Sequence, residues 1–250
     1  MDENRLTLPP LGFGAFKIGR NEGIKYPRGY ELPNDADVER LLNDVLDIGI
    51  TYIDTAPAYG LSEERIGRAI GHRRDEYLLS TKVGERFEDG ESTYDYSTEA
   101  VSRSVERSLA RLRTDVVDLL LVHAHRNDLS VLHDTDVVPA MQQMRERGWV
   151  RHLGFSGYTA DALQAALPWA DAIMVEYHLE NRVLEPVITA AAARGVRVIV
   201  KKALASGRLE PAEAIRFALS NNAVDAVVVG SLDADHLRDN FRLARHVRHV

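Results

Sequence analysis

The sequence predicts an α/β fold, a single (β/α)8 barrel spanning residues 1–250. Three observations lead there. Short apolar runs alternate with longer amphipathic ones along the whole chain, the pattern of parallel strands joined by crossover helices. Eight such apolar runs can be placed, which suggests that the sheet closes. Side chains able to do acid–base chemistry stand where apolar runs end, and strand ends are where barrel enzymes keep their chemistry. At 250 residues the chain has the size of one such barrel, and a domain of this length buries roughly three quarters of its unfolded surface. No second domain is required.

The strands fall near Leu11–Gly14, Ile50–Asp54, Tyr77–Lys82, Val117–His123, His152–Ser156, Ala172–Glu176, Arg197–Lys202 and Ala226–Gly230. The second ends in Asp54 and is followed in its loop by Tyr59, the third ends in Lys82, and the fourth ends in His123. Between strands, stretches such as Thr98 to Leu109 carry apolar residues at helical spacing with polar residues opposite. Asp35 ahead of Ala36-Asp37-Val38-Glu39, and Ser62 ahead of Glu63-Glu64, supply the expected caps and acidic first turns. The longest irregular segment runs from Lys17 to Asn34 and is broken by Gly19, Gly23, Pro27, Gly29 and Pro33. It carries Lys17, Arg20, Lys25, Tyr26, Arg28 and Tyr30. This segment reads either as a solvated connector or as a lid or anion-recognition loop on the catalytic face.

Composition narrows the function classes. A formal net charge of −7 disfavours a broad nucleic-acid footprint and points to a small-molecule partner. The absence of cysteine removes disulfides, thiolate chemistry and cysteine metal sites. The first residues, Met1 to Arg5, show no basic segment followed by an apolar run, and no stretch approaches the roughly 18 apolar residues of a membrane span. The expectation is a cytoplasmic protein.

The run Gly49-Ile50-Thr51-Tyr52-Ile53-Asp54-Thr55-Ala56, with Tyr59-Gly60 and Glu64-Arg65-Ile66-Gly67, resembles the first signature of the aldo-keto reductase family. Ser80-Thr81-Lys82-Val83 resembles its lysine signature, and Arg111 to His123 is similar to the segment carrying its histidine. The resemblance covers nearly the whole chain. It implies a (β/α)8 barrel, a nicotinamide cofactor, NADP(H) or NAD(H), and a catalytic tetrad of Asp54, Tyr59, Lys82 and His123. Tyr59 would give a proton to a carbonyl oxygen while the nicotinamide delivers hydride to the carbon. Lys82, held by Asp54, would stabilise the phenolate of a tyrosine whose free pKa is about 10. His123 would orient the carbonyl and donate a hydrogen bond to it.

The same resemblance places the cofactor residues, and there the sequence departs from the family pattern. After the fifth strand Ser156 is kept but Gly157 stands for an asparagine, and Met174 stands for a glutamine on the sixth; a thioether makes no strong hydrogen bond. On the seventh strand Lys201 takes the place of an aromatic ring that stacks on nicotinamide. Lys202 follows at a position implied to meet the pyrophosphate, with Leu204, Ser206 and Gly207 in the loop beyond. In the terminal phosphate segment Ser231, Asp239 and Asn240 fit, whereas Gly230 and His236 replace the basic residues that clamp a 2′-phosphate. A neutral histidine substitutes poorly for a guanidinium fork. The chain ends soon after its last helix, so no long C-terminal substrate loop is expected. The resulting short-rimmed pocket suits a small polar or sugar-like carbonyl compound or alcohol.

Two other classes compete with this oxidoreductase reading. A barrel with changed cofactor contacts could bind a dinucleotide or metabolite as a sensor or partner subunit without turnover. The pair His123 and His125, with Glu176 and His178, mimics part of a metal-ligand set. The fifth and eighth strand ends offer only Ser156 and Ser231, so no metal is expected, and His125 reads as a rim residue.

Overall fold

Strand register decides which side chains reach the barrel interior. The computed structural model describes residues 5–24 and 26–249; Met1 to Asn4 and Lys25 lie outside it. The strands are β1 (Leu11–Gly14), β2 (Tyr52–Asp54), β3 (Leu78–Val83), β4 (Glu85–Glu88), β5 (Glu91–Tyr94), β6 (Val117–His123), β7 (Val150–Ser156), β8 (Ala172–Glu176), β9 (Arg197–Lys201) and β10 (Ala226–Val229). Eight of them close a parallel barrel in the order β1-β2-β3-β6-β7-β8-β9-β10, with β10 pairing back to β1. All eight match the sequence-placed runs to within about two residues at their ends. The strands β4 and β5 form a separate antiparallel hairpin that the sequence reading left out.

Alternation along β6 sorts the core into two layers. Leu119 and Leu121 join Tyr52, Ala172, Met174, Ile199 and Ala226 inside the barrel, whereas Leu120 and Val122 pack outward beneath the helices. Fully burying one such aliphatic side chain contributes about 1.5–3 kcal/mol. Pairing then propagates the inward face around the barrel. Lys82 sits opposite Leu121, Asp54 opposite Ser80, Ser156 opposite His123, and Met174 opposite Ser156. Lys201 lies two residues beyond Ile199, and a two-residue step along a strand keeps a side chain on the same face. Asp54, Lys82, His123, Ser156, Met174 and Lys201 therefore all belong to the inner face near the C-terminal rim.

The helices are α1 (Asp35–Ile48), α2 (Ser62–Ile70), α3 (Thr98–Leu112), α4 (Asp128–His133), α5 (Val137–Glu146), α6 (Ala160–Ala166), α7 (Glu185–Ala193), α8 (Pro211–Ser220) and α9 (Ala234–His249). In α1, Val38, Leu41, Leu42, Val45 and Leu46 are buried, a spacing that turns one stripe of the helix toward the barrel. Gly49 stops it with φ 102°, its N–H donating back to Val45 and Leu46 carbonyls, a left-handed ending that glycine adopts without strain. Two expected caps are corrected. Asn34 caps α1, accepting from Asp37 N–H, and Asp35 is the first helical residue. Ser62 opens α2 but turns inward, donating to the Ala15 carbonyl at 2.9 Å and sharing a 2.8 Å bond with Thr55. Its hydroxyl ties the β1 and β2 loops together instead of capping the helix.

Candidate active site

At the inner rim, Lys82 Nζ lies 2.8 Å from each Asp54 carboxylate oxygen and donates at 2.8 Å to the Thr55 carbonyl. Ser80 donates to Asp54 at 2.7 Å. Both members of the ion pair are buried. Such pairs are costly to break, since removing one charge strands the other in a low-dielectric site. Tyr59, in the 3-10 turn Pro57–Tyr59 after β2, lies with its ring centroid 4.8 Å from Lys82 Nζ and 6.0 Å from the His123 ring. Phe16 packs edge-on against the other side at 5.1 Å.

The electrostatics of Tyr59 run opposite to the sequence expectation. Burial raises its pKa well above 10, and the nearby Asp54 and Glu85 charges add to the effect. Lys82 has its charge answered by Asp54 at close range. The phenol is therefore held protonated, which suits a proton donor and opposes a standing phenolate. Burial also lowers the Lys82 ammonium, with Asp54 and Glu85 working against that shift.

Glu85, which the sequence reading missed, sits 2.8 Å from His123 Nδ1 through Oε2. It opens β4 directly after Gly84, whose φ of 108° swings the chain off the barrel. A Cβ on Gly84 would drive into the Tyr96 ring, so glycine is required at this bend. Burial pushes Glu85 up, but His123, the Ser92 hydroxyl and Arg20 outweigh it and hold the carboxyl down at about 2. Burial pushes the His123 imidazole below its usual range, with Glu85 opposing and Lys82 and Lys201 reinforcing. The carboxylate lies close to Nδ1 without the geometry of a hydrogen bond, since Nδ1 is buried with no hydrogen-bond partner among the described residues. The Glu85 charge favours the imidazolium, which burial and the two lysines oppose.

Across the mouth, Lys201 Nζ donates to Ser156 Oγ at 2.8 Å and lies 4.6 Å from the Tyr158 ring centroid. Met174 is buried between the two strands. At Gly157 a Cβ would meet Phe155 at 2.5 Å, which explains why this backbone does not accept the asparagine of the family pattern. Lys202 leaves β9 with φ 54° and pairs with Glu176 Oε2 at 2.6 Å. Its charge is thus already answered. Ala205 and Ser206 also adopt positive φ, 47° and 61°, and Gly207 follows at 85°. Non-glycine residues held in that region store strain and cluster at functional turns.

The terminal segment is more open. Ser231 Oγ accepts from Asp233 N–H, Asp233 accepts from the Asp235 and His236 backbones, and Asn240 is buried. His236 is exposed, 3.7 Å from Asp233. Asp239 faces Arg242 at 3.6 Å, and Arg238 pairs with Asp235. A Cβ at Gly230 would stand 2.8 Å from the Gly14 carbonyl oxygen.

One cavity of about 350 Å³ brings together Asp54, Tyr59, Lys82, His123, Ser156 and Lys201, with Met174, Lys202, Ser206 and Gly230 also on its wall, whereas Gly157, Leu204, Gly207, Ser231, His236, Asp239 and Asn240 do not line it. The hairpin supplies Ser92 and Tyr94 to its wall, so the expected short rim is built up on this side. Arg20 and Tyr26 line it from the segment after β1; Arg20 stacks on Phe87 of β4, 3.1 Å from the ring centroid. His125 lies just past β6, its Nδ1 accepting from Asn127 N–H and its ring edge-on to Tyr94 and Tyr96. His178 Nε2 is 3.5 Å from Glu176, and no cluster of three potential metal ligands occurs among the described residues.

A model of the aldo/keto reductase family matches residues 10–214. The chain belongs to that family. Among the relatives of this aldo/keto reductase, the D-threo-aldose 1-dehydrogenase of a Pseudomonas species is 31% identical over 83% of this chain and 69% of its own length. The L-galactose dehydrogenase of Arabidopsis thaliana is 30% identical over 82% of this chain and 64% of its own, and the uncharacterized oxidoreductase YqkF of Bacillus subtilis is 28% identical over 82% and 63%. The chain thus spans just under two thirds of the length of two of these relatives. A crystal structure from Pseudomonas aeruginosa, presented as a candidate aldo-keto reductase, superposes with a TM-score of 0.89 at 39% identity, covering 98% of this chain and 93% of that one. The holo form of aldo-keto reductase AKR11C1 from Bacillus halodurans superposes with a TM-score of 0.79 at 25% identity, covering 96% and 91%. No helix of the described residues is long and apolar enough to cross a membrane.

Proposed function

We propose that this aldo/keto reductase is a cytoplasmic NAD(P)H-dependent oxidoreductase that reduces the carbonyl of a small polar or sugar-like compound, or oxidises the corresponding alcohol. The observation that carries the reading is the meeting of Tyr59, the buried Lys82–Asp54 pair and His123 in one cavity. The sugar dehydrogenases among its relatives and the polar wall of Arg20, Ser92 and Tyr94 support the substrate class.

Tyr59 gives its phenolic proton to the carbonyl oxygen; the environment that keeps it protonated suits that step. Lys82, fixed by Asp54, holds a positive charge close to the ring at the moment the proton leaves. His123, with the Glu85 carboxylate close to Nδ1, presents Nε2 to the carbonyl oxygen and donates when protonated. A bound nicotinamide supplies the hydride.

A nicotinamide dinucleotide would be held at its pyrophosphate by Lys202, Ser206 and the backbone of Leu204 and Gly207 in the strained turn after β9, and at its nicotinamide by Ser156, Gly157, Met174 and Lys201. Gly230, Ser231, His236, Asp239 and Asn240 would hold its adenosine end. Titration of NADPH and NADH by fluorescence, followed by a panel of aldoses and short aldehydes, tests the reading. Failure of the folded protein to bind either cofactor overturns it and leaves a metabolite-binding barrel without turnover.

A further inference from the structure

Lysine is scarce in this chain: of 31 basic residues, five are lysines, Lys17, Lys25, Lys82, Lys201 and Lys202. A guanidinium does not lose its proton in proteins, whereas a lysine does so readily when its surroundings demand it. Side chains that can switch between cation and amine are thus confined to two strand ends and the segment that follows the first strand.

The three strand-end lysines differ in what they touch. Lys82 is locked between both oxygens of Asp54 and the Thr55 carbonyl, and Lys202 is paired with Glu176. Lys201 has no carboxylate within 4.0 Å among the described residues; its polar partner is the Ser156 hydroxyl, and its other neighbour is the Tyr158 ring face. It remains partly accessible through the cavity that holds Tyr59 and His123. The charged groups that act on it are Lys202 and Lys82, which oppose a positive charge, and Glu176 and Asp54, which favour one but are already engaged by those two lysines.

We propose that Lys201 is a nucleophile that captures small aldehydes entering the cavity as an imine. The amine lone pair forms a C–N bond to the carbonyl carbon, and the carbonyl π electrons pass to the oxygen, which takes up a proton. The nitrogen lone pair then makes the C=N bond as that oxygen leaves as water. Overall an ammonium and an aldehyde become an iminium and water, charge is conserved, and no oxidant or reductant is consumed. Ser156 Oγ accepts one N–H and so orients the remaining lone pair, while the Tyr158 ring stabilises the cationic iminium by a cation–π contact. Burial and the two neighbouring lysines, with a pKa pushed down to about 7, leave much of the amine free near neutrality. This capture requires no nicotinamide, so it stands or falls independently of the oxidoreductase reading.

The test is reductive trapping of the cofactor-free protein with glyceraldehyde and sodium cyanoborohydride at pH 7, read by intact mass and peptide mapping. An ordinary lysine with pKa about 10.4 is neutral in roughly one molecule in 2,500 at that pH. The expected result is an adduct on Lys201 formed at least about a hundredfold faster than on Lys82 or Lys202, and absent in Lys201→Arg. The wild-type peptide map decides the matter even if that variant folds poorly. Label spread evenly over the lysines, label confined to Lys17, Lys25 or the α-amino group, or no label would each overturn the proposal.

Discussion

On the β2–β3–β6 side of the mouth each reactive side chain faces another side chain of complementary chemistry, Lys82 and Asp54 in a buried ion pair, Asp54 with Ser80 and His123 with the Glu85 carboxylate 2.8 Å away. On the β9–β10 side the polar groups are held by loop backbone, by partly exposed partners or by hydroxyls, as with Lys202, Lys201 and Ser231. The first region is specified by complementary charges that cannot be exchanged singly without a large penalty. The second is specified more by backbone shape, with the positive φ angles of Lys202, Ala205, Ser206 and Gly207 setting its turn.

The largest break in this contrast is expected from Tyr59→Phe. General acid catalysis is worth about a hundred- to ten-thousandfold, so kcat should fall by that factor while the cofactor Kd stays within about twofold; retention of most of the wild-type rate would remove Tyr59 from the chemistry. Lys82→Met should cost about 3–5 kcal/mol of stability, because it leaves the Asp54 carboxylate buried without a counter-charge. Thermal or urea unfolding measures this, and the double change with Asp54→Asn should recover most of the loss.

Glu85 provides the pH-dependent case. Its folded pKa of about 2 lies below the ordinary 4.5, so its stabilisation is fully present above pH 4.5 and is lost as pH falls toward 2. The shift corresponds to on the order of 3 kcal/mol. Glu85→Gln should flatten that acid limb in equilibrium unfolding and also weaken reduction near neutrality, since the imidazolium of His123 loses its partner.

Smaller effects are expected on the opposite side. Lys202→Ala should weaken either dinucleotide by about tenfold, the lower end for a charge-assisted hydrogen bond, because Glu176 already shares the ammonium. Discrimination between NADPH and NADH should be smallest of all, within about tenfold, or 1.4 kcal/mol. A preference above a hundredfold in the measured Kd values would reveal a basic clamp that Gly230 and His236 do not supply.

Most of the barrel was legible because strand ends and inward parity follow from local pattern: Asp54, Lys82 and His123 could be placed on one face from the register of apolar neighbours. The β4–β5 hairpin was not, since Glu85–Glu88 and Glu91–Tyr94 are short, polar and largely exposed, with no buried face to write a period into the sequence. A signal did exist in Asp89-Gly90, a two-residue turn with φ of 52° and 83° of the kind that favours tight hairpins. Missing it meant missing Glu85. The protonation of Tyr59 was misjudged for a different reason: the burial and the Asp54 and Glu85 charges that raise its pKa depend on packing and distances that spacing along the chain does not encode. The replacement of Asn34 by Asp35 as the expected cap of α1 is a one-residue slip between two good capping types.

The close approach of Gly230 to the Gly14 carbonyl limits where a basic side chain could be added at this end of the barrel. Any side chain at 230 forces the first and last strands of the closed sheet apart, so a cation cannot be recovered there by a single substitution. Position 236, exposed on the first turns of α9, carries no such constraint, and a His236→Arg change is reachable without disturbing the barrel seam.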